Sequence, residues 1–159
     1  MLKLSKMSDY ATVLMTLMAH DPPRLTNAVE LAERSGIPAP TAAKLLKSLA
    51  RAGLLQSLRG AHGGYRLAHP PSDISVADVI TALEGPIAVT ECATHHGGCS
   101  LESDCGARSN WQLINHAIRH ALESVSLAQM AAPPAARELP VHFRALSSSS
   151  PASNTGLHS

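Results

Sequence analysis

The run Leu45–Ala68, LLKSLARAGLLQSLRGAHGGYRLA, decides how the chain folds. Its first part continues an apolar stripe of Ala42, Leu45, Leu46 and Leu49 at helical spacing, and Gly53 supplies a left-handed stop. Two short extended runs follow, Leu54–Leu58 and Tyr65–Ala68, on either side of Arg59-Gly60-Ala61-His62-Gly63-Gly64. Extended runs around a glycine-rich turn predict a β-hairpin.

Working outward toward the N-terminus, Pro38 and Pro40 sit in or before the first turn of this helix, where proline is tolerated. Gly36 closes a shorter helix whose candidate N-cap is Thr26 and whose apolar side is Val29, Leu31 and Ala32. Before it, residues 8–20 carry Tyr10, Ala11, Leu14, Leu17 and Met18 at helical spacing and stop at Asp21-Pro22-Pro23. Lys3 and Lys6 ahead of this apolar stretch resemble a signal peptide. Thr12 and Thr16 interrupt it and no small-x-small cleavage site follows, so a core helix of a cytoplasmic protein is expected. Helix, helix, tight turn, helix, hairpin is the order of a winged helix-turn-helix.

Working outward toward the C-terminus, Ser75 caps a helix with Val76, Val79, Ile80 and Leu83 facing inward, ended by Gly85-Pro86. Residues 87–108 hold all three cysteines and are read as an irregular loop. From 109 to about 131, Trp111, Ile114, Ile118, Ala121, Leu122 and Val125 make one stripe on a single long helix. A small domain cannot cover such a stripe, and a second copy would, which predicts a homodimer through this helix. In residues 132–159, Ala, Ser and Pro fill 15 of 28 positions, and disorder is expected. The predicted organisation is therefore a mainly α chain: a DNA-binding domain at 1–86, a cysteine-rich loop at 87–108, a dimerisation helix at 109–131 and a tail.

The net charge of +1 conceals an asymmetry. Residues 1–70 carry nine Lys and Arg against four Asp and Glu, whereas residues 71–110 carry one against six. The basic front suits a polyanion. Opposite the leucine stripe lie Thr41, Lys44, Lys47, Ser48 and Arg51, able to donate to phosphates and base edges in a major groove, and Arg59 stands at the hairpin tip. Thr41, Lys44, Lys47, Ser48 and Arg59 are the candidate contacts to a double-stranded DNA operator. One Trp, two Tyr and one Phe are too few for a stacking platform on single strands. No apolar run reaches the roughly 20 residues of a membrane span. No nucleophile motif or phosphate-cradling loop points to an enzyme or to a small-molecule substrate.

The hairpin core Arg59, Gly60, Gly63, Gly64, Tyr65 and Leu67, with Lys3–Ala11 (KLSKMSDYA) and Val76–Gly85 (VADVITALEG), resembles the winged-helix repressors typified by IscR and NsrR. The resemblance spans roughly residues 1–130, and within the family it is similar to regulators of SUF-type iron–sulfur assembly. It implies a homodimer crossed by its C-terminal helices, with both wings on one duplex.

Cys92, Cys99 and Cys105 form C-x6-C-x5-C, with Gly97, Gly98 and Gly106 nearby. Three soft thiolates in a reducing compartment suit an iron–sulfur cluster or zinc, and the spacing is not the C-x2-C of common zinc folds. The resemblance adds weight to a cluster, 2Fe–2S in preference to 4Fe–4S, because cluster-binding members carry three cysteines in this loop. IscR-type proteins place a histidine three residues after the last cysteine. Here that residue is Arg108, which stays protonated and cannot ligate. The nitric-oxide-responsive relatives use an aspartate in the first helix of the opposite subunit, and Asp9 matches that position. An acid there also suits the first turn of a helix. His95 and His96 are rival ligands, and would complete a Cys3His zinc site in the alternative reading. The function expected is an iron–sulfur-sensing transcriptional repressor of cluster-assembly genes. The alternatives are a nitric-oxide or redox sensor of the same fold, a zinc-stabilised DNA-binding protein, and a small iron–sulfur carrier.

Overall fold

The computed structural model describes residues 4–88 and 108–133. It contains six α-helices and one antiparallel hairpin, in the order α1 (Lys6–Ala19), α2 (Ala28–Ser35), α3 (Ala39–Arg51), β1 (Leu55–Leu58), β2 (Gly64–Leu67), α4 (Val76–Glu84), α5 (Arg108–Glu123) and α6 (Leu127–Ala131). A 3₁₀ turn at Pro71–Asp73 leads into α4.

Helix α1 is the centre of the core. Ala11, Leu14 and Met15 are fully buried, and the helix packs against α2, α3, α4, α6 and β2. Its N-cap is Ser5, whose side chain accepts from the Ser8 amide, so the helix starts two residues earlier than its apolar pattern predicts. Helices α2 and α3 form the helix-turn-helix, joined through Gly36 at φ 71°, the left-handed stop read from the sequence. The leucine stripe of α3, Leu45, Leu46 and Leu49, turns inward as expected.

The N-cap of α2 is Asn27, not Thr26: the Asn27 side chain accepts from the Glu30 amide at 2.8 Å. Thr26 has another task. Its backbone pairs with Tyr65 through two hydrogen bonds of 2.9 Å, adding a one-residue third strand to the hairpin. This pairing pins the wing to the loop before α2. Thr26 carbonyl oxygen would lie 2.7 Å from a Cβ on Gly64, so only glycine fits there. The strand register pairs Leu55 with Leu67 and Leu58 with Gly64, leaving residues 59–63 as the connection.

The single helix expected over 109–131 is two helices. After α5 the chain turns at Ser124–Ser126, and Ser126 begins α6 with a reciprocal cap to Gln129. Backbone bonds of 2.9 Å from Val76 to Val125 and from Leu127 to Ile74 tie this turn to the start of α4. Leu127 is 0% exposed and joins the core against α1. The apolar spacing continues through the break, but the serine cap and the available core pocket outweigh helix continuation. Residues 127–131 therefore belong with the N-terminal domain. The cysteine loop and most of the tail lie outside the described residues.

Truncating Leu127 removes a fully buried side chain, so Leu127→Ala is expected to cost about 2–5 kcal/mol in urea denaturation. A solvent-exposed extension of α5 would show almost no change.

Candidate functional site

The exposed ridge of α3 runs Thr41, Lys44, Lys47, Ser48 and Arg51. Lys44, Lys47 and Arg51 are exposed, whereas Thr41 and Ser48 are half-buried at its border. The hairpin stands beside this ridge because α3 packs on β1 and the Thr26 pairing holds β2. Lys47, Ala50, Arg51, Ser57, Arg59 and Tyr65 line an open groove of about 530 Å³ between helix and wing. Three cations and no carboxylate line it. Among the described residues the lysines and arginines of this face make no ion pair, whereas elsewhere Arg24 and Arg34 pair with Glu30 and Arg119 with Glu123. Unpaired cations on a convex helix and a flanking hairpin are available to phosphate oxygens.

The structure thus brings Lys47 and Arg59 together, while Thr41 and Lys44 lie toward the N-terminal end of α3. Arg51, Ser57 and Tyr65 complete the groove. Arg51, already read from the sequence as a donor opposite the leucine stripe, follows Lys47 by one helical turn, and Ser57 stands directly opposite Tyr65 in the hairpin register. Gly60, at φ 116°, opens the wing tip, and the Gly63 amide donates to its carbonyl at 2.9 Å.

A second region lies at the N-terminal end of α1. Asp9 is exposed in the first turn of α1, as its sequence position suggests. Its neighbour Ser8 is fully buried and donates through Oγ to Glu84 Oε1, and the Ser5 amide donates to the same oxygen at 3.3 Å. These bonds fasten the start of α1 to the end of α4. The hydroxyl of Ser8, with the Ser5 donors, holds the Glu84 carboxyl below the usual carboxylate range despite some desolvation. A cleft of about 280 Å³ beside this latch is lined by Leu4, Ile80, Glu84, Ile87, Ile118 and Leu122. The latch joins residues 76 apart, and no local pattern could have disclosed it. Cys92, Cys99, Cys105, His95 and His96 lie outside the described residues.

A family profile described as Rrf2, iron-dependent transcriptional regulator, matches residues 4–133. The chain belongs to the Rrf2 family. Protein rrf2 of Nitratidesulfovibrio vulgaris is 35% identical over 130 residues, covering 81% of this chain and 87% of the relative. The transcriptional regulator IscR of Aliivibrio salmonicida is 31% identical over 132 residues, covering 81% and 77%. Among solved structures, the global cysteine regulator CymR of B. subtilis superposes with a TM-score of 0.66 at 30% identity, covering 82% of this chain and 97% of that one. IscR of T. potens superposes with a TM-score of 0.61 at 34% identity, covering 81% and 85%. The fold is therefore the Rrf2 winged helix, and the chain is a DNA-binding transcriptional regulator, not an enzyme. Among the described residues no helix is long and apolar enough to cross a membrane.

Two outcomes follow from this geometry. Lys47→Ala and Arg51→Ala should each weaken DNA binding and lower the slope of log affinity against log salt by about one, read by fluorescence anisotropy over a salt series. Because the Glu84 carboxyl is held low in the folded chain, it adds stability that is complete well above its ordinary value of 4.5 and is lost as pH falls through its folded value. Denaturant titrations of the Glu84→Gln variant should accordingly lose less stability below pH 4.5 than those of the unsubstituted chain.

Proposed function

We propose that this Rrf2 regulator is a cytoplasmic homodimeric repressor of iron–sulfur assembly genes, controlled by a cluster held between Cys92, Cys99, Cys105 and the partner subunit's Asp9. The observation that carries the reading is the Ser5–Ser8–Glu84 latch. It ties the turn that bears Asp9 to the end of α4, which immediately precedes the cysteine segment in the chain.

The donors suit the group. Three thiolates are soft ligands for a cluster, with 2Fe–2S favoured over 4Fe–4S, and Asp9 is an exposed carboxylate with no ion pair among the described residues. When bound, the cluster supplies a centre that oxidants, nitric oxide and iron scarcity can remove or convert. An oxygen donor beside three thiolates makes such a shell more labile than four thiolates would.

The protein's part is mechanical. Asp9 sits on the helix that packs directly against α3 and β2. Tethering Asp9 fixes α1, and α1 sets the position of the reading helix and wing. Two half-sites are read at a spacing set by dimer geometry, so a small rotation of each α3 costs affinity. The dimer itself rests on α5, whose Trp111 and Ile114 are exposed on one stripe. An uncovered apolar face of this kind is closed by the same face of a second copy.

The similarity to CymR, described as a cysteine regulator, favours a second reading in which the same fold serves a cluster-free sensor, with His95 or His96 completing a zinc site.

Iron, sulfide and zinc content, with the visible spectrum, of protein purified without oxygen separates the two. Matching iron and sulfide with charge-transfer bands is expected, and zinc without sulfide selects the second reading. Operator affinity should differ between cluster-loaded and cluster-free protein, and Cys92→Ala and Asp9→Ala should each abolish that difference. A difference that survives Cys92→Ala overturns the scheme.

A further inference from the structure

Helix α5 carries metal-competent side chains that neither the DNA face nor the cysteine segment uses. His116 and His120 are four residues apart, so consecutive turns set them on one face. Both are exposed, with ring centroids 6.4 Å apart and planes tilted by 46°. Neither imidazole makes a hydrogen bond or ion pair among the described residues. Their face is turned away from the body of the protein, because the buried Asn115 and the half-buried Ile118 and Leu122 occupy the other side of the helix.

We propose that His116 and His120 chelate a first-row transition-metal ion of the Zn²⁺, Ni²⁺ or Cu²⁺ class, with water completing the shell. Two imidazoles one turn apart on a helix converge on a shared point with side-chain rotation alone. The same i, i+4 spacing is what lets paired histidines of a helix hold zinc in H-E-x-x-H sites. The open rings pay no desolvation penalty before binding, and the helix fixes their separation in advance. Glu123, one turn further along, is engaged by Arg119 at 3.2 Å, so the site has two protein donors. Nitrogen donors select the borderline transition metals and leave Mg²⁺ and Ca²⁺ unbound. Coordination staples one turn of the helix that presents Trp111 and Ile114, which links metal supply to the rigidity of that apolar stripe.

The test uses the full chain with Cys92→Ser, Cys99→Ser and Cys105→Ser, titrated with Cu²⁺, Ni²⁺ or Zn²⁺ against a chromophoric chelator. A single equivalent per chain is expected, with Cu²⁺ bound more tightly than Ni²⁺ or Zn²⁺ and no competition from Mg²⁺. His116→Gln and His120→Gln should each lose that equivalent while His95 and His96 remain in place. Binding that persists in both variants, or no binding at all, overturns the proposal. A second measurement uses the same cysteine-free chain. Substoichiometric Cu²⁺ should broaden the imidazole resonances of His116 and His120 before those of the other histidines, and the reverse order overturns the site.

Discussion

The burial of α1 is the constraint on which the rest of the molecule depends. Ala11, Leu14 and Met15 lose all contact with water, and five other elements close around them. A chain of this size has one core, and here a single helix supplies its axis. Anything attached to α1 therefore communicates with everything packed on it. The DNA-reading helix and the wing touch its sides, and its first turn carries Asp9 and the serines that hold Glu84. A shared core helix thus connects its first turn to α3 and the wing without a long relay.

The wing illustrates how backbone bonding completes a weak element. A two-stranded hairpin of four-residue strands is marginal alone. The pairing of Thr26 with Tyr65 gives β2 a second neighbour, and the cross-strand bond from Arg66 to Gln56 at 2.9 Å adds a side-chain tie on the exposed face. Gly64 is required at this junction because the Thr26 backbone occupies the space of a side chain. The cost is a glycine in a strand, and the return is a hairpin held at a fixed position beside α3, where the basic groove forms.

Helix α5 differs in character from the core. It packs mainly against α4 and leaves large apolar side chains in solvent, while its far face carries an unpaired histidine couple. Then the chain returns to the body through the Ser75–Ser126 bridge, and α6 seals α1 with Leu127. The helix is thus anchored at its C-terminal end and presents its apolar residues near the other.

Local chemistry alone determined much of this. Glycines at 36, 53 and 85 mark the helix ends, because a residue without Cβ adopts their positive φ freely. The leucine stripe of α3 sets its inward face and therefore its basic outward one. Three features depended on contacts distant in sequence. Thr26 and Asn27 are both good caps, and the choice between them was made by the wing claiming the Thr26 backbone. The apolar spacing past Val125 suits one long helix, and the Ser126 cap prevails over it because a core pocket accepts Leu127. The Ser8–Glu84 latch joins residues at opposite ends of the domain. Periodicity and capping act within a few residues and can be read along the chain, whereas competition for a shared backbone or cavity is decided only when distant segments meet.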